Sequence, residues 1–497
     1  MNFREFYDLF NKKITTFEEL VDILNISNIS YDLSFISKAY EVASNAHRNQ
    51  YRISGESYEI HFLNVAKLIA LLKLDEVSIV CALLHDVVEK GNLSLEQIDK
   101  DFGTEVAFII DGLTTIKSLS QKYSSFYEET SNNIKDLILA ATDDVRIVII
   151  RISEKLDNIL NITNVNTDIV VNSANKIMNI YAPLCEYLGL GYFKRVLEDN
   201  AFKVLYKEEY DITCQAINSI VKEKGDILEE FKEDLQNLLK KAKIDYLEVQ
   251  TRVKSLYSSY LKVKRKYTQP TNTKITIDGF KKLKDLLAAR IILKTVEECY
   301  MAIGLVHFQW EHDPTEYDDY IMKPKENGYR SIQSAIIYKD CFLEIQIRTQ
   351  EMHEYNEFGP ASHIAYKMLS SKKNSGNTFT WTKDLIRWKN ANVVNNDVYK
   401  IKVFANSVFV FTPKGLLIRL PKGATPLDFA FRIHTEIGIH YGGALVNGKM
   451  VNKQYTLNTG DTVEILLSAK PTVNVDWLKL VKTQSAKQKI KRYLNAK

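Results

Sequence analysis

A chain of 497 residues, 45% hydrophobic and 26% charged, falls in the ordinary range of soluble globular proteins and suggests about three domains at roughly 100–200 residues each. No run approaches the ~18–20 consecutive apolar residues of a membrane span, and the N-terminus (MNFREFYDLFNKK) lacks the apolar core of a signal peptide, so the expectation is a cytoplasmic protein with no membrane partner. The five cysteines (Cys81, Cys185, Cys214, Cys299, Cys341) are scattered and never form a CxxC pair, which argues against a disulfide framework and a cysteine zinc site.

The formal net charge of +4 is too small to announce a nucleic-acid protein by itself. Residues 471–497, however, hold seven basic side chains against the single acid Asp476. Contact with a polyanion should favour that end.

From residue 1 to about 200 the periodicity is helical, with apolar positions three and four apart in FLNVAKLIALL (62–72) and VSIVCALLHDVVEK (77–90), predicting an all-α bundle. A long amphipathic helix follows, ending near 240–244. Short apolar strands come next, LLAARIILK (286–294), SIQSAIIY (331–338) and FLEIQIRT (342–349), which mark an α/β domain over 201–370. The polar run at 370–378 opens a linker, 371–398. Residues 399–470 read as a small strand-rich domain, closed by one basic amphipathic helix over 471–497.

Two constellations carry chemistry. His85 and Asp86 are adjacent within a predicted helix, with Glu89 one turn beyond His85, and His61 lies upstream. In VRIVIIRISEKLDNIL (145–160), Val145, Val148, Ile152, Leu156 and Ile159 form a core face and leave Glu154, Asp157, Asn158 and Asn161 as a polar stripe. Imidazoles with carboxylates suit a divalent ion such as Mn²⁺ or Fe²⁺ that generates hydroxide for phosphoester hydrolysis. A satisfied core pair fits the same spacing.

In FLEIQIRT, alternation sets Leu343, Ile345 and Ile347 on one strand face and Glu344, Gln346 and Arg348 on the other. Asp285 opens the LLAARIIL strand, and TRVKSLYSSYLKVKRK (251–266) supplies Arg252, Lys254, Lys262, Lys264 and Arg265. Carboxylates beside cations are what nucleoside triphosphate chemistry requires, with oxygen ligands for Mg²⁺ and Arg or Lys against the transferring charge. A solvated basic helix beside a surface strand is the plainer alternative.

The runs NAHRNQYRISGESYEIHFLNVA (45–66), ALLHDVVEK (82–90), FGTEVAFIIDGLT (102–114) and IYAPLCEYLGL (180–190) resemble the HD-type hydrolase domain of long RelA/SpoT homologues, the alarmone synthetase/hydrolase family. The resemblance implies metal ligands at His61, His85, Asp86 and Glu154, the last in place of the family's Asp, with Mn²⁺ as the ion and Arg52, Glu89 and Asn158 as hydrolase residues. This sequence departs from the family where HDxxED becomes Glu89-Lys90, where Arg-Lys becomes Arg52-Ile53, and where Leu-His-Asn-Met-Arg-Thr becomes Leu156-Asp157-Asn158-Ile159-Leu160-Asn161. Hydrolysis is therefore expected to be impaired, since proton transfer needs an acid within reach, with Asp157 as a substitute acid.

The segments LEDNAF (197–202), TRVKS (251–255), LKDLLAARII (283–292), DYIMKPKENGYRSIQ (319–333), LEIQIRT (343–349) and HEYNEFGPASHIAYK (353–367) are similar to the family's synthetase domain, which has a nucleotidyltransferase-like α/β fold. This implies Mg²⁺ on Asp285 and Glu344, with Glu344 also taking the proton of a 3′-hydroxyl. It further implies ATP phosphates on Arg252, Lys254, Lys262, Lys325 and Arg348, and a guanine nucleotide, GTP or GDP, at Tyr329 and Asn327. The tetrad Glu316-Tyr317-Asp318-Asp319 resembles the acidic form of synthesis-specialised members, and Gln333 stands where the family usually has His. Segments 408–438 and 446–466 resemble the β-grasp TGS domain, which with the basic helix after it implies contact with ribosome and tRNA; the family's tRNA-linked His aligns with Ile439, one place before His440. Full-length members continue into helical, zinc-finger and ACT-like modules.

The expectation is a pyrophosphokinase that makes pppGpp or ppGpp. Its alternatives are a bifunctional enzyme that also hydrolyses the alarmone with Mn²⁺, or a decayed ribosome- or tRNA-responsive binding protein. Intact Asp285, Glu344 and Tyr329 favour the enzyme.

Overall fold

The computed structural model describes residues 3–27, 29–52, 55–91, 93–121, 144–161, 167–267, 275–325, 328–359, 407–413 and 417–495. The chain divides into two compact units, Met1–Asp157 with Ser370–Lys497, and Asn158–Leu369. The 371–398 linker lies outside the described residues.

In the first unit, the regular elements among the described residues up to Asp157 are all helices, with one isolated Tyr51–Ser57 bridge beside them, as the apolar periodicity predicts. The Tyr58–Leu71 helix is buried continuously from His61 onward. Its Lys67 donates to the carbonyls of Phe10 (3.1 Å) and Lys12 (2.5 Å), satisfying the C-terminal end of the Phe3–Asn11 helix. Arg146, fully buried, joins Asp144, Asp75 and Glu105, which fixes the start of the Val145–Leu160 helix. Val145, Val148, Ile152, Leu156 and Ile159 on that helix are all buried.

One local expectation fails here. His85 and Asp86 do not lie inside a helix: Glu76–Leu84 ends at His85, and a new short helix, Val87–Lys90, begins after Asp86. Successive residues on a continuous helix point about 100° apart, and the break lets both side chains face one spot.

The second unit is built on a five-stranded sheet in the order β1-β2-β5-β4-β3, with β1 Tyr246–Val253, β2 Leu287–Leu293, β3 His312–Asp319, β4 Ile332–Tyr338 and β5 Cys341–Thr349. β2 and β5 pair in parallel, Ala288 opposite Glu344 and Arg290 opposite Gln346; β4 runs antiparallel to β5 with Gln333 opposite Gln346. One sheet face carries Leu287, Ala289, Ile291, Ile332, Ile336, Leu343, Ile345 and Ile347, packed on Phe231, Leu235 and Leu239 of the Lys207–Lys241 helix and on Cys299, Ala302 and Val306 of the Val296–Gln309 helix. Pleating sends the alternate residues to the opposite face, which is polar. The Gly191–Leu205 helix lies in this unit. Phe202 packs on Tyr257 and Tyr260, and Asp199 accepts from the Tyr257 amide at 2.9 Å.

The described residues between 407 and 495 of the first unit form the small strand-rich domain. β6 Ser407–Phe411 pairs with β7 Leu417–Pro421, and β8 Tyr441–Val446 lies between β9 Lys449–Val451 and β10 Val463–Leu467. The Pro426–Ile433 helix starts on a Thr425–Asp428 capping box and packs its Leu427, Ala430 and Phe431 against Tyr441, Ala444 and Trp477. The basic C-terminal segment is two helices rather than one, Trp477–Leu480 and Gln484–Asn495. The buried Asp428 carboxylate accepts from the backbone N–H groups of Lys482 (2.9 Å) and Thr483 (2.7 Å), holding the chain extended at Val481 between them.

Candidate functional site

Three ligand atoms of His61, His85 and Asp86, all buried, lie within 4.8 Å of one another. His61 Nδ1 bonds Asp157 Oδ2 at 2.6 Å and His85 Nδ1 bonds the Ala82 carbonyl at 2.7 Å. Both partners only accept, so in the neutral rings each Nδ1 carries the proton and each Nε2 a lone pair. These two Nε2 atoms face each other at 3.2 Å. Burial, only partly offset by the Asp86 carboxylate, lowers the His85 pKa to about 4. Two facing lone pairs with a carboxylate beside them fit a divalent cation better than they fit each other. Asp157 acts as the outer carboxylate that orients a ligating imidazole; it is also held by Arg52 at 3.3 Å, which removes it from the role of substitute acid beside the trio.

Glu154 is buried, but its carboxylate is engaged by Arg151 and, at 3.0 Å, by Lys155, and it is not one of the three clustered groups. Lys90 donates to Asp86 Oδ2 at 2.8 Å. Burial works against its charge, yet the Asp86 carboxylate outweighs it and holds the ammonium well above the usual lysine range. Glu89 is exposed on the same short helix, and Asn158 is half-buried one residue past Asp157.

In the other unit the polar sheet face gathers the second constellation. Asp285, two residues before β2, accepts from Lys254 at 2.5 Å and Lys262 at 2.6 Å through Oδ2. Burial alone would raise its pKa; Lys254 and Lys262 reverse the direction and lower it. Its Oδ1 is shielded from solvent and accepts no hydrogen bond among the described residues, an orphan that a cation would satisfy. Glu344 lies at the same end of the adjacent strand and receives Gln346 Nε2 at 2.6 Å. Arg348 is fully buried and donates to Gln346 Oε1 at 2.8 Å. Burial and the neighbouring Arg290 bring its pKa down to about 10, and burial with Arg290 and Arg195 does the same for Arg252.

Tyr329 sits under two cations, Lys325 Nζ at 4.9 Å and Arg348 Cζ at 5.7 Å from the ring centroid. Gln333 Nε2 donates to its hydroxyl at 3.0 Å. The turn before it closes through Gly328 at φ +81°, where a Cβ would meet the Tyr355 hydroxyl at 2.5 Å; only glycine suits both demands. Asn327 lies outside the described residues.

No spacing in the sequence marks Arg290, Arg195, His353 and Glu357 as a group, yet they converge here. Glu357 is buried, bonded to Arg195 at 2.6 Å and 3.3 Å from Arg290. The one local signal is Arg290 itself, a charge inside the otherwise apolar LLAARIIL strand.

Residues 39–191 match the family model described as the HD domain, residues 251–371 the region found in RelA / SpoT proteins, and residues 408–467 the TGS domain. The chain belongs to the RelA/SpoT family. This RelA/SpoT chain is 38% identical over 468 residues to a guanosine-3′,5′-bis(diphosphate) 3′-pyrophosphohydrolase of Aquifex aeolicus (strain VF5), covering 92% of this chain and 64% of the relative. It is 36% identical over 471 residues to a GTP pyrophosphokinase of Myxococcus xanthus, covering 93% and 60%. The chain thus spans 60–64% of the length of these curated relatives. The names of these family members divide between hydrolysis and synthesis. Among solved structures, small alarmone synthetase 1 from Bacillus subtilis bound to its product pppGpp matches at 22% identity, 35% of this chain, 97% of that chain and a TM-score of 0.25. Among the described residues no helix is long and apolar enough to cross a membrane.

Proposed function

We propose that this RelA/SpoT chain is a (p)ppGpp synthetase, transferring the β,γ-pyrophosphate of ATP to the 3′-oxygen of GTP or GDP. The observation that carries the reading is the polar face of β5, Glu344-Gln346-Arg348, beside an Asp285 carboxylate flanked by Lys254 and Lys262. The 3′-hydroxyl oxygen attacks the β-phosphorus and gives its proton to Glu344; the bond from that phosphorus to the α,β-bridging oxygen breaks, and AMP leaves with the bridging oxygen. Arg252, Lys254, Lys262, Lys325 and Arg348 hold the phosphates, and Tyr329 stacks on guanine. Mg²⁺ held by Asp285 and Glu344 would neutralise charge on the triphosphate. Such catalysis depends on positioning and charge neutralisation, which this constellation supplies.

In the HD domain, His61, His85 and Asp86 would hold Mn²⁺, whose chemistry there would be to lower the pKa of the attacking water in alarmone hydrolysis. We read this activity as impaired, because Lys90 is bonded to Asp86 and no acid from Asp157 is left beside the trio. Exposed Lys482, Lys491 and Arg492 support contact of the C-terminal segment with ribosome or tRNA.

The test is nucleotide chromatography after incubation with ATP, GTP and Mg²⁺. Equimolar AMP and pppGpp are expected, and their absence overturns the synthetase reading. A second incubation, with ppGpp and Mn²⁺, reads the hydrolase.

A further inference from the structure

We infer that Gln346 is the positioning residue that aims the Glu344 carboxylate, an inference resting on the reading of Glu344 as the proton acceptor. Gln346 is 5% exposed at the centre of β5, flanked by Arg290 on β2 and Gln333 on β4. Its two amide atoms have opposite partners. Oε1 accepts from Arg348 Nη2 at 2.8 Å and from Arg290 Nε and Nη2 at 3.4 Å each, while Nε2 donates to Glu344 Oε2 at 2.6 Å.

The orientation of the amide is therefore not interchangeable. Guanidinium groups only donate and so require the oxygen; a carboxylate only accepts and so requires the nitrogen. Arg290 is itself anchored, 3.3 Å from the buried Glu357, so the amide has a fixed support on one side and a single direction on the other.

Gln346 also keeps unlike charges apart. Glu344 and Arg348 are its neighbours two residues away on the same strand face, and Arg290 stands diagonally from Glu344, two register pairs beyond Ala288. A residue without both a donor and an acceptor would let a guanidinium collapse onto the carboxylate. The carboxylate would then be turned from the 3′-hydroxyl toward a permanent cation. Glutamine alone among side chains of this length meets the cationic side with oxygen and the anionic side with N–H.

The experiment compares Gln346→Met, of similar length, and Gln346→Glu, which keeps the acceptor for the arginines but turns a second carboxylate toward Glu344. Both should lower kcat by ~10–100-fold, the scale of a misaligned reacting group. KM for ATP and GTP should stay within about threefold, since the binding groups remain. A kcat within twofold of the wild type in Gln346→Met, or a loss carried wholly by KM for ATP, overturns the inference. A crystal structure of Gln346→Met gives a readout that does not need turnover. Glu344 should be found against Arg290 or Arg348, and an unmoved Glu344 overturns the inference even if activity is low. A wild-type chain that makes no product would sink the proposed function, while the position of Glu344 in that crystal structure would still decide the role of Gln346.

Discussion

The Nε2 atoms of His61 and His85 face each other at 3.2 Å, each ring being tied down on its far side through Nδ1. Two imidazole nitrogens so placed are held close by the fold with no proton between them to share, so a divalent cation should stabilise the folded state. Mn²⁺ is expected to raise the thermal midpoint and bind near one equivalent at this site, by mass action on the native state. His85→Ala should remove both effects, and calorimetric titration of the two proteins checks it. Unchanged Mn²⁺ binding in the variant would place the ion elsewhere.

Glu344→Gln retains shape and a hydrogen-bonding end group but loses the charge needed at the transferred proton. Synthesis should fall by ~10²–10⁴-fold, the usual contribution of a general base. Near-wild-type AMP release would mean that another group takes the proton.

Tyr329→Ala should weaken GTP or GDP binding by ~1–3 kcal/mol, the scale of base–aromatic stacking. Tyr329→Phe keeps the ring and loses the hydroxyl that accepts from Gln333, so most of the affinity should return. Equal affinity of all three proteins by titration would move the base to another surface.

Much of this was legible locally. Alternation alone sorted Leu343, Ile345 and Ile347 from Glu344, Gln346 and Arg348, because a strand has period two. The Lys90–Asp86 pair was also within reach, being four residues apart. What stayed hidden depends on distant chain segments. Gln346 has its meaning from Arg290 on β2, and Arg52 meets Asp157 across 105 residues. Nor does any local signal divide the C-terminal helix at Val481; the cause is Asp428, more than fifty residues upstream, accepting from Lys482 and Thr483.

Acidification should destabilise the Asn158–Leu369 unit in two stages. Burial, with Arg290 and Arg348, pushes the His353 pKa well below its ordinary value. Burial opposes ionisation of Glu357, but Arg195 and Arg290 outweigh it and hold that carboxyl well below the usual range. For both groups the unfolded chain takes up protons first, so stability falls as pH falls. The histidine stage should begin below about pH 6.5 and the carboxylate stage below about pH 4.3, the unfolded values. Glu357→Gln should cost about 3–5 kcal/mol at pH 7, since it leaves the buried Arg290 without its anion, and should erase the lower stage. Denaturant midpoints measured from pH 7 down to about pH 2 check both stages; a flat profile in the wild type contradicts them.

The last prediction concerns Lys90. Its ammonium bonds Asp86 at 2.8 Å beside the His61–His85 pair, and Asp86 holds it charged well past neutral pH despite burial. A fixed cation there does two things to hydrolysis. It competes for a carboxylate that belongs with the metal, and it occupies, within reach of the trio, a place where an acid could pass a proton to the leaving group. Lys90→Glu should reverse both while leaving His61, His85 and Asp86 in place. Mn²⁺-dependent pyrophosphate release from ppGpp should rise by at least ~10-fold, a modest share of the 10²–10⁴ that a positioned acid contributes. Asp86→Ala in the same background should abolish it, since the released product must depend on the trio. Synthesis from ATP and GTP is the internal control and should not change. If the wild-type chain already releases pyrophosphate briskly and Lys90→Glu adds nothing, the cation is no obstacle and the HD domain is a working hydrolase.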